Sequence, residues 1–177
     1  MTERSMIDQD VLERVLAAAV RTGAEFAEVY AEDKRSTGIG LDDGKVEQVT
    51  SGRDRVGGIR IIKGESTGFA HTSDLSEAGL LAAAGAAAAA ASQGNGGTRT
   101  VALTRGPQRT VSPVAQYPDD VRKADKVAVL QRIDDTARSM PNTQYGNIVQ
   151  VSAGYADSRK HLLVANTDGV FVTDQQV

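Results

Sequence analysis

The sequence predicts an α+β fold: a mainly antiparallel sheet built from two strand meanders, with about three helices packed on it. Three observations carry that prediction. Apolar residues recur at helical spacing in three separate stretches. Between those stretches they alternate with polar residues at period two, and short turn signatures such as Asp43-Gly44 join the alternating runs. The order is helix, meander, helix, crossing segment, helix, meander, with no sequence-level repeat.

Asp10-Val11-Leu12-Glu13 fits a capping box, in which an N-cap side chain and a Glu three residues later satisfy each other's backbone donors. Leu12, Val15, Leu16 and Ala19 follow on one face before Gly23, which predicts a helix over 9–22. Ala27, Val29 and Ala31 alternate with Glu28, Tyr30 and Glu32, and Thr37, Ile39 and Leu41 alternate again. Asp43-Gly44 then supplies a hairpin turn whose two central residues need positive φ. Val46 to Ser51 is the return, Arg55 to Ile62 a further strand, Lys63-Gly64-Glu65 a turn and Ser66 to Thr72 its partner. The first meander therefore has about five strands. Asp74-Leu75-Ser76-Glu77 is a second capping box. It opens an alanine-rich helix reaching Ala91, whose smooth face can lie close on a sheet.

Between Gln93 and Pro118 glycine and proline dominate, predicting an extended crossing segment with one short strand at Arg99–Leu103. Val121, Ala124, Val127, Leu130, Ile133 and Ala137 predict a helix over 119–139, ended by Pro141. Val149, Val151, Ala153 and Tyr155 alternate into a turn at Asp157-Ser158-Arg159. Leu162 and Val164 form the return, Asn166 to Gly169 turns again, and Val170 and Val172 open a last strand. Residues 1–92 thus read as a helix-meander-helix half, 93–118 as the crossing segment and 119–177 as a helix-meander half, together one N-terminal domain. The sequence stops on a strand with no closing helix, so the expectation is a piece of a longer protein.

Composition excludes several functions. The 177 residues suffice to bury a core without staples, and the absence of cysteine removes disulfide scaffolds, thiol nucleophiles and thiolate metal sites. With 20 Lys+Arg against 23 Asp+Glu, net −3 and no basic cluster, nucleic acid is not an expected partner. No apolar run approaches the ~20 residues of a membrane span and no apolar leader opens the sequence, so a cytoplasmic protein without membrane contact is expected.

Catalytic patterns are absent as well. The two histidines, His71 and His161, stand far apart and lack a paired spacing such as H-E-x-x-H, so no metal site is read in this segment. The G-x-S-x-G elbow is missing, and Ser73 and Ser76 beside Asp74 read as caps. Val56-Gly57-Gly58-Ile59-Arg60 matches neither phosphate-binding fingerprint, and hairpin chemistry accounts for Asp42 and Asp43. No self-contained active site is expected.

One positive reading remains: a glycine-rich strand 55–62 offers backbone to a peptide by strand addition. The candidate substrate-binding residues are Gly58 on that strand, Arg60 as a guanidinium for a peptide carboxylate, and His71 at the next strand's end. The plainer alternatives are a strand glycine at a close backbone approach, an outward arginine, and a surface or capping histidine.

Read together, several segments carry a resemblance. They are Gly23-Ala-Glu-Phe-Ala-Glu-Val-Tyr30, Asp43-Gly-Lys-Val-Glu47, Val56-Gly-Gly-Ile-Arg-Ile-Ile62, Gly68-Phe-Ala-His-Thr-Ser-Asp-Leu-Ser76 and His161-Leu-Leu-Val-Ala-Asn-Thr-Asp-Gly169. In this order the chain resembles the N-terminal domain of the TldD/PmbA zinc metallopeptidases, once called modulators of DNA gyrase, over nearly its whole length. The Gly-Phe-Ala form of the strand before the second helix is more similar to the TldD-type subunit. The resemblance implies a cytoplasmic peptidase acting on unfolded or flexible peptides, assembled from two related subunits around a cavity. It also implies zinc held by an HExxxH helix and a downstream cysteine in the C-terminal part of the parent protein. None of those ligands occurs here, so no catalytic residue carries over and the segment alone is expected to be inactive. Two alternatives stay open: a metal-free PmbA/TldE-type partner subunit, and a stand-alone interaction module that pairs through its sheet edges.

Overall fold

Two tight turns set the strand pairing. Asp43 and Gly44 have φ of 49° and 76°, the two positive values that a type I′ hairpin needs. Gly64, at φ 56°, opens a second two-residue turn of the II′ kind, which demands glycine at its first central position.

The computed structural model describes residues 6–91, 101–106, 114–141, 144 and 146–177. In chain order they form α1 (Gln9–Val20), β1 (Phe26–Asp42), β2 (Lys45–Lys63), β3 (Ser66–Thr72), α2 (Glu77–Ala90), β4 (Thr104–Arg105), a 3₁₀ turn (Pro118–Asp120), α3 (Lys123–Arg138), β5 (Ser152–Asn166) and β6 (Val170–Gln176). The strand order is β3-β2-β1-β5-β6-β4. β2/β3 and β5/β6 pair antiparallel, and β4 joins β6 in parallel. This is the α+β architecture that the sequence predicts.

Several details differ from expectation. The first meander has three strands, because β1 runs unbroken through Asp33–Ser36 and β2 through Gly52–Asp54. β5 likewise passes straight through Asp157–Arg159, where a turn was expected, and starts only at Ser152. The reason is visible in β2: every residue from Lys45 to Arg55 is exposed, so the chain there shows no alternation of buried and solvated positions. Backbone pairing carries the strand without that signal.

Neither expected capping box forms. Asp8 is the N-cap of α1, and Asp10 lies in the first turn, 2.9 Å from Arg14. Ser76 caps α2 by accepting from the Gly79 N–H, while Asp74 accepts from the Ser76 N–H in a turn before the helix. Of the expected strand Arg99–Leu103, Arg99 and Thr100 lie outside the described residues. The strand here is Thr104–Arg105.

The chain folds into two compact units. Unit 1 comprises Met1–Lys34, Asp54–Val111 and Lys160–Gln176. Its core sets Leu12, Val15, Leu16 and Ala19 of α1 and Leu80, Ala84 and Ala87 of α2 against Ala27, Val29, Ala31, Ile59, Ile61, Leu163, Ala165 and Phe171 of the strands. Small residues allow the close fit: a Cβ on Gly57 would stand 3.0 Å from both Leu75 and Leu80. Arg14 of α1 holds Glu77 of α2 at 2.6 Å on the surface.

Unit 2 comprises Arg35–Arg53, Ser112–Arg159 and Val177. Its small core joins Ile39, Leu41 and Leu130, with Val127, Ala153 and Tyr155 packed beside them. Polar contacts supply much of the rest. Buried Lys126 of α3 lies 2.5 Å from Asp157 of β5, donates to the Pro118 carbonyl at 3.0 Å, and sits 5.5 Å from the Tyr155 ring centroid. Arg138 joins Asp134 and Asp43, while Asp42 accepts from Gln150 and Ser152.

Candidate functional site

Strand parity divides unit 1 into two sheet faces. Ala27, Val29, Ala31, Ile59, Ile61, Leu163 and Ala165 point into the core beneath α1 and α2. Their neighbours in sequence point the other way. Register then fixes which of these meet: Gly58 stands opposite His71, Arg60 opposite Phe69, Leu162 opposite Asp174 and Val164 opposite Val172. The three candidate binding residues, Gly58, Arg60 and His71, therefore share one face on two adjoining strands.

Their surroundings refine each reading. Gly58 is buried, and a Cβ built on it would lie 3.3 Å from the Phe69 ring, so this glycine accommodates an aromatic side chain across the strand pair. Phe69 itself is 62% exposed, with its ring centroid 6.3 Å from that of His71. Arg60 keeps about half of its side chain in solvent. Its guanidinium lies 3.2 Å from Glu28 and 5.7 Å from the Phe26 ring centroid. Its charge is thus already partnered, and an incoming carboxylate would compete with Glu28. His71 is exposed near the end of β3, ahead of the turn that caps α2.

On the same face, the Tyr30 hydroxyl donates to Glu32 at 2.6 Å, and Lys160 lies 3.9 Å from Glu32. Burial, aided by the Glu32 carboxylate, pushes the Tyr30 phenol up to about 12. Tyr30, Leu162, Val164, Val172 and Asp174 line a shallow depression of about 280 Å³. Phe69, Glu28 and Tyr30 were not among the candidates; the polar members of the 27–32 alternation and the parity of Phe69 with His71 were the available signals.

Topology corrects one expectation. The segment 55–62 was expected to offer free backbone, but β2 is an interior strand there, between β3 and β1. Among the described residues, the edge on that side of the sheet belongs to β3.

Among the described residues no three His, Cys, Asp or Glu side chains gather as a metal site, and the sequence has no cysteine. The described residues do not fit a catalytic zinc. Among the described residues, too, no helix is long and apolar enough to cross a membrane.

Comparison with known proteins gives a consistent picture. Residues 27–91 match the family model of PmbA/TldA metallopeptidase domain 1, and residues 116–177 match the PmbA/TldA metallopeptidase central domain. The chain is 26% identical over 157 residues to a metalloprotease TldD homolog of Haemophilus influenzae, covering 85% of this chain and 30% of that protein. It is 26% identical over 171 residues to a metalloprotease TldD homolog of Buchnera aphidicola, covering 94% and 33%. The chain thus spans about a third of the length of these curated relatives. Its fold is similar to that of TldE from Thermococcus kodakarensis, with TM-score 0.65, 15% identity and coverage of 93% of this chain and 36% of that one. It is also similar in fold to a Thermotoga maritima protein described as a modulator of a DNA gyrase, with TM-score 0.69, 16% identity and coverage of 94% and 37%. With two successive domain models matched along most of its length, this chain belongs to the PmbA/TldA metallopeptidase family.

Proposed function

We propose that this chain is the substrate-guiding and assembly part of a cytoplasmic zinc-dependent peptidase that acts on unfolded or flexible peptides. It pairs with a TldD/PmbA-type partner subunit, and the catalytic metal site lies beyond Val177. The observation that carries the reading is the pair of domain matches, domain 1 and then central domain, both named as parts of a metallopeptidase. The names of the relatives support the peptidase chemistry, and the third of their length that is matched leaves room for a metal site elsewhere. The chain's own contribution is a wall: a sheet face carrying Glu28, Arg60, Phe69 and His71, with no residue placed for bond cleavage.

The test is zinc content together with peptide hydrolysis, for these 177 residues alone and for the full reading frame with its partner subunit. Zinc and cleavage in the complete assembly, and neither in the 177 residues, support the proposal. Stoichiometric zinc or cleavage in the 177 residues alone sinks it. The likeness to TldE favours a second reading, a metal-free structural subunit. An HExxxH helix encoded downstream decides against that reading, and its absence decides for it.

A further inference from the structure

We propose that the outer edge of β3 is a docking strand for an extended peptide, which adds to the sheet alongside Thr67, Phe69 and His71. This rests on the reading that the chain handles peptides, and it names the place where it does so.

Among the described residues β3 is one of the sheet's two terminal strands, and its register with β2 is regular from Lys63↔Ser66 to Gly57↔Thr72. Because Gly64-Glu65 is a two-residue loop, Lys63 and Ser66 form a hydrogen-bonded pair, and such pairs alternate along an antiparallel ladder. Gly68, Ala70 and Thr72 then bond to β2, while the N–H and C=O groups of Thr67, Phe69 and His71 point outward. An independent contact agrees with this phase. The carbonyl of Ile62, which stands opposite Thr67, faces away from β3 and accepts from the Glu25 N–H at 3.0 Å.

The edge also lacks the usual protection. Exposed edges are normally blunted by lysine, proline, bulges or inward charges, and Ser66-Thr-Gly-Phe-Ala-His-Thr72 contains none of these. The side chains of Thr67, Phe69 and His71 all rise on the face turned away from the helices. Phe69 is the most exposed of the aromatic and aliphatic residues near the strand pair. An added strand would place alternate side chains beside that ring, so an apolar residue opposite Phe69 fits best. Size selects a peptide over a second copy: a stable protein–protein interface uses roughly 20–30 residues a side, whereas this edge has seven.

The probe is a capped, fluorescein-labelled peptide of about nine residues, alternating valine and threonine around a central phenylalanine. Binding is read by anisotropy, and backbone protection by NMR hydrogen exchange. The expected result is saturable binding with new protection at the Thr67, Phe69 and His71 amides. Phe69→Pro removes an outward donor without touching the β2 ladder and should raise the dissociation constant about tenfold or more. N-methylating alternate residues of the peptide tests the same bonds with the protein unaltered, so a Phe69→Pro chain that fails to fold leaves the test intact.

Binding that is indifferent to both changes, or protection elsewhere, overturns the β3 assignment and leaves peptide handling standing. No binding at millimolar peptide overturns both. A chain that sediments as a dimer, and becomes monomeric in Phe69→Pro, gives the edge to a second copy and overturns the peptide assignment.

Discussion

Gly68 of β3 lies directly beneath Ala87 of α2, so close that a Cβ built on the glycine would collide with the Ala87 carbonyl oxygen and stand 2.8 Å from the Ala91 nitrogen. These obstacles are backbone, and they cannot swing aside as a side-chain tip would. Gly68→Ala must therefore lift α2 from the sheet, at a cost of about 2–4 kcal/mol. Thermal denaturation should show a midpoint lowered by roughly 4–16 °C for a chain of this size. Gly85, on the same helix, has nothing within 4 Å of its built Cβ. Gly85→Ala should stabilise the chain by up to about 1 kcal/mol of helix propensity and raise the midpoint by a few degrees at most. Equal effects from the two substitutions would remove the close-approach argument.

That contact also shows what the sequence made legible. The alanine run announced a helix able to lie close on a sheet, and the turn residues Asp43-Gly44 and Lys63-Gly64-Glu65 announced both hairpins. The pairing of Gly58 with His71 and of Arg60 with Phe69 was not readable, because register depends on a turn type and not on composition. Strand continuity was hidden for a different reason. Asp33–Ser36, Arg53-Asp54 and Asp157–Arg159 carry polar side chains that need no particular face, and Gly52 carries none, so a periodicity argument breaks the strand where the backbone ladder does not. For the candidate site, glycine suggested an open backbone at Gly58, whereas the glycine makes room for the Phe69 ring.

In unit 2, Lys126 is 4% exposed at its side chain and Asp157 12%, with 2.5 Å between their charged atoms. Removing one partner strands the other charge in a poorly solvated place. Lys126→Met or Asp157→Leu alone should cost about 3–5 kcal/mol, while the double substitution should recover most of that loss. Urea denaturation of the four chains of this double-mutant cycle measures it. Additive single effects would mean that the two groups do not act as a pair.

Alkaline pH should weaken the fold through two tyrosines. The Tyr155 phenol is pushed up to about 12, first by its hydrogen bond to Asp157 and then by burial; for Tyr30, at about 12 as well, burial comes first and Glu32 second. Folded tyrosines that hold their protons more tightly than unfolded ones, at about 10, add stability that is complete below pH ~10 and is lost as pH rises toward 12. The denaturation midpoint should therefore fall across that window. Absorbance titration of the native chain should show a late phenolic step that shrinks in both Tyr30→Phe and Tyr155→Phe. A native chain whose tyrosines all titrate near 10 would contradict the assignment.

Zinc should leave the stability of these 177 residues unchanged, and the geometry of the two histidines says why. His71 stands on β3 and His161 on β5, and the order β3-β2-β1-β5 puts three strand spacings, about 14 Å, between their backbones. Parity separates them further. His71 shares its face with Arg60 and Phe69, whereas His161 alternates in step with buried Leu163 and Ala165 on the helix side. One ion cannot take both, and a zinc site needs three or four ligands. A ligand that binds the native state raises its stability with the logarithm of one plus the ratio of free ligand to dissociation constant, so even a micromolar site would register in a melt at 100-fold excess, by about 2.7 kcal/mol. The midpoint should be the same with zinc and with chelator. A clear rise with zinc that His71→Ala or His161→Ala abolishes would place a metal ligand on this sheet, against the reading that the catalytic metal is held elsewhere in the parent protein.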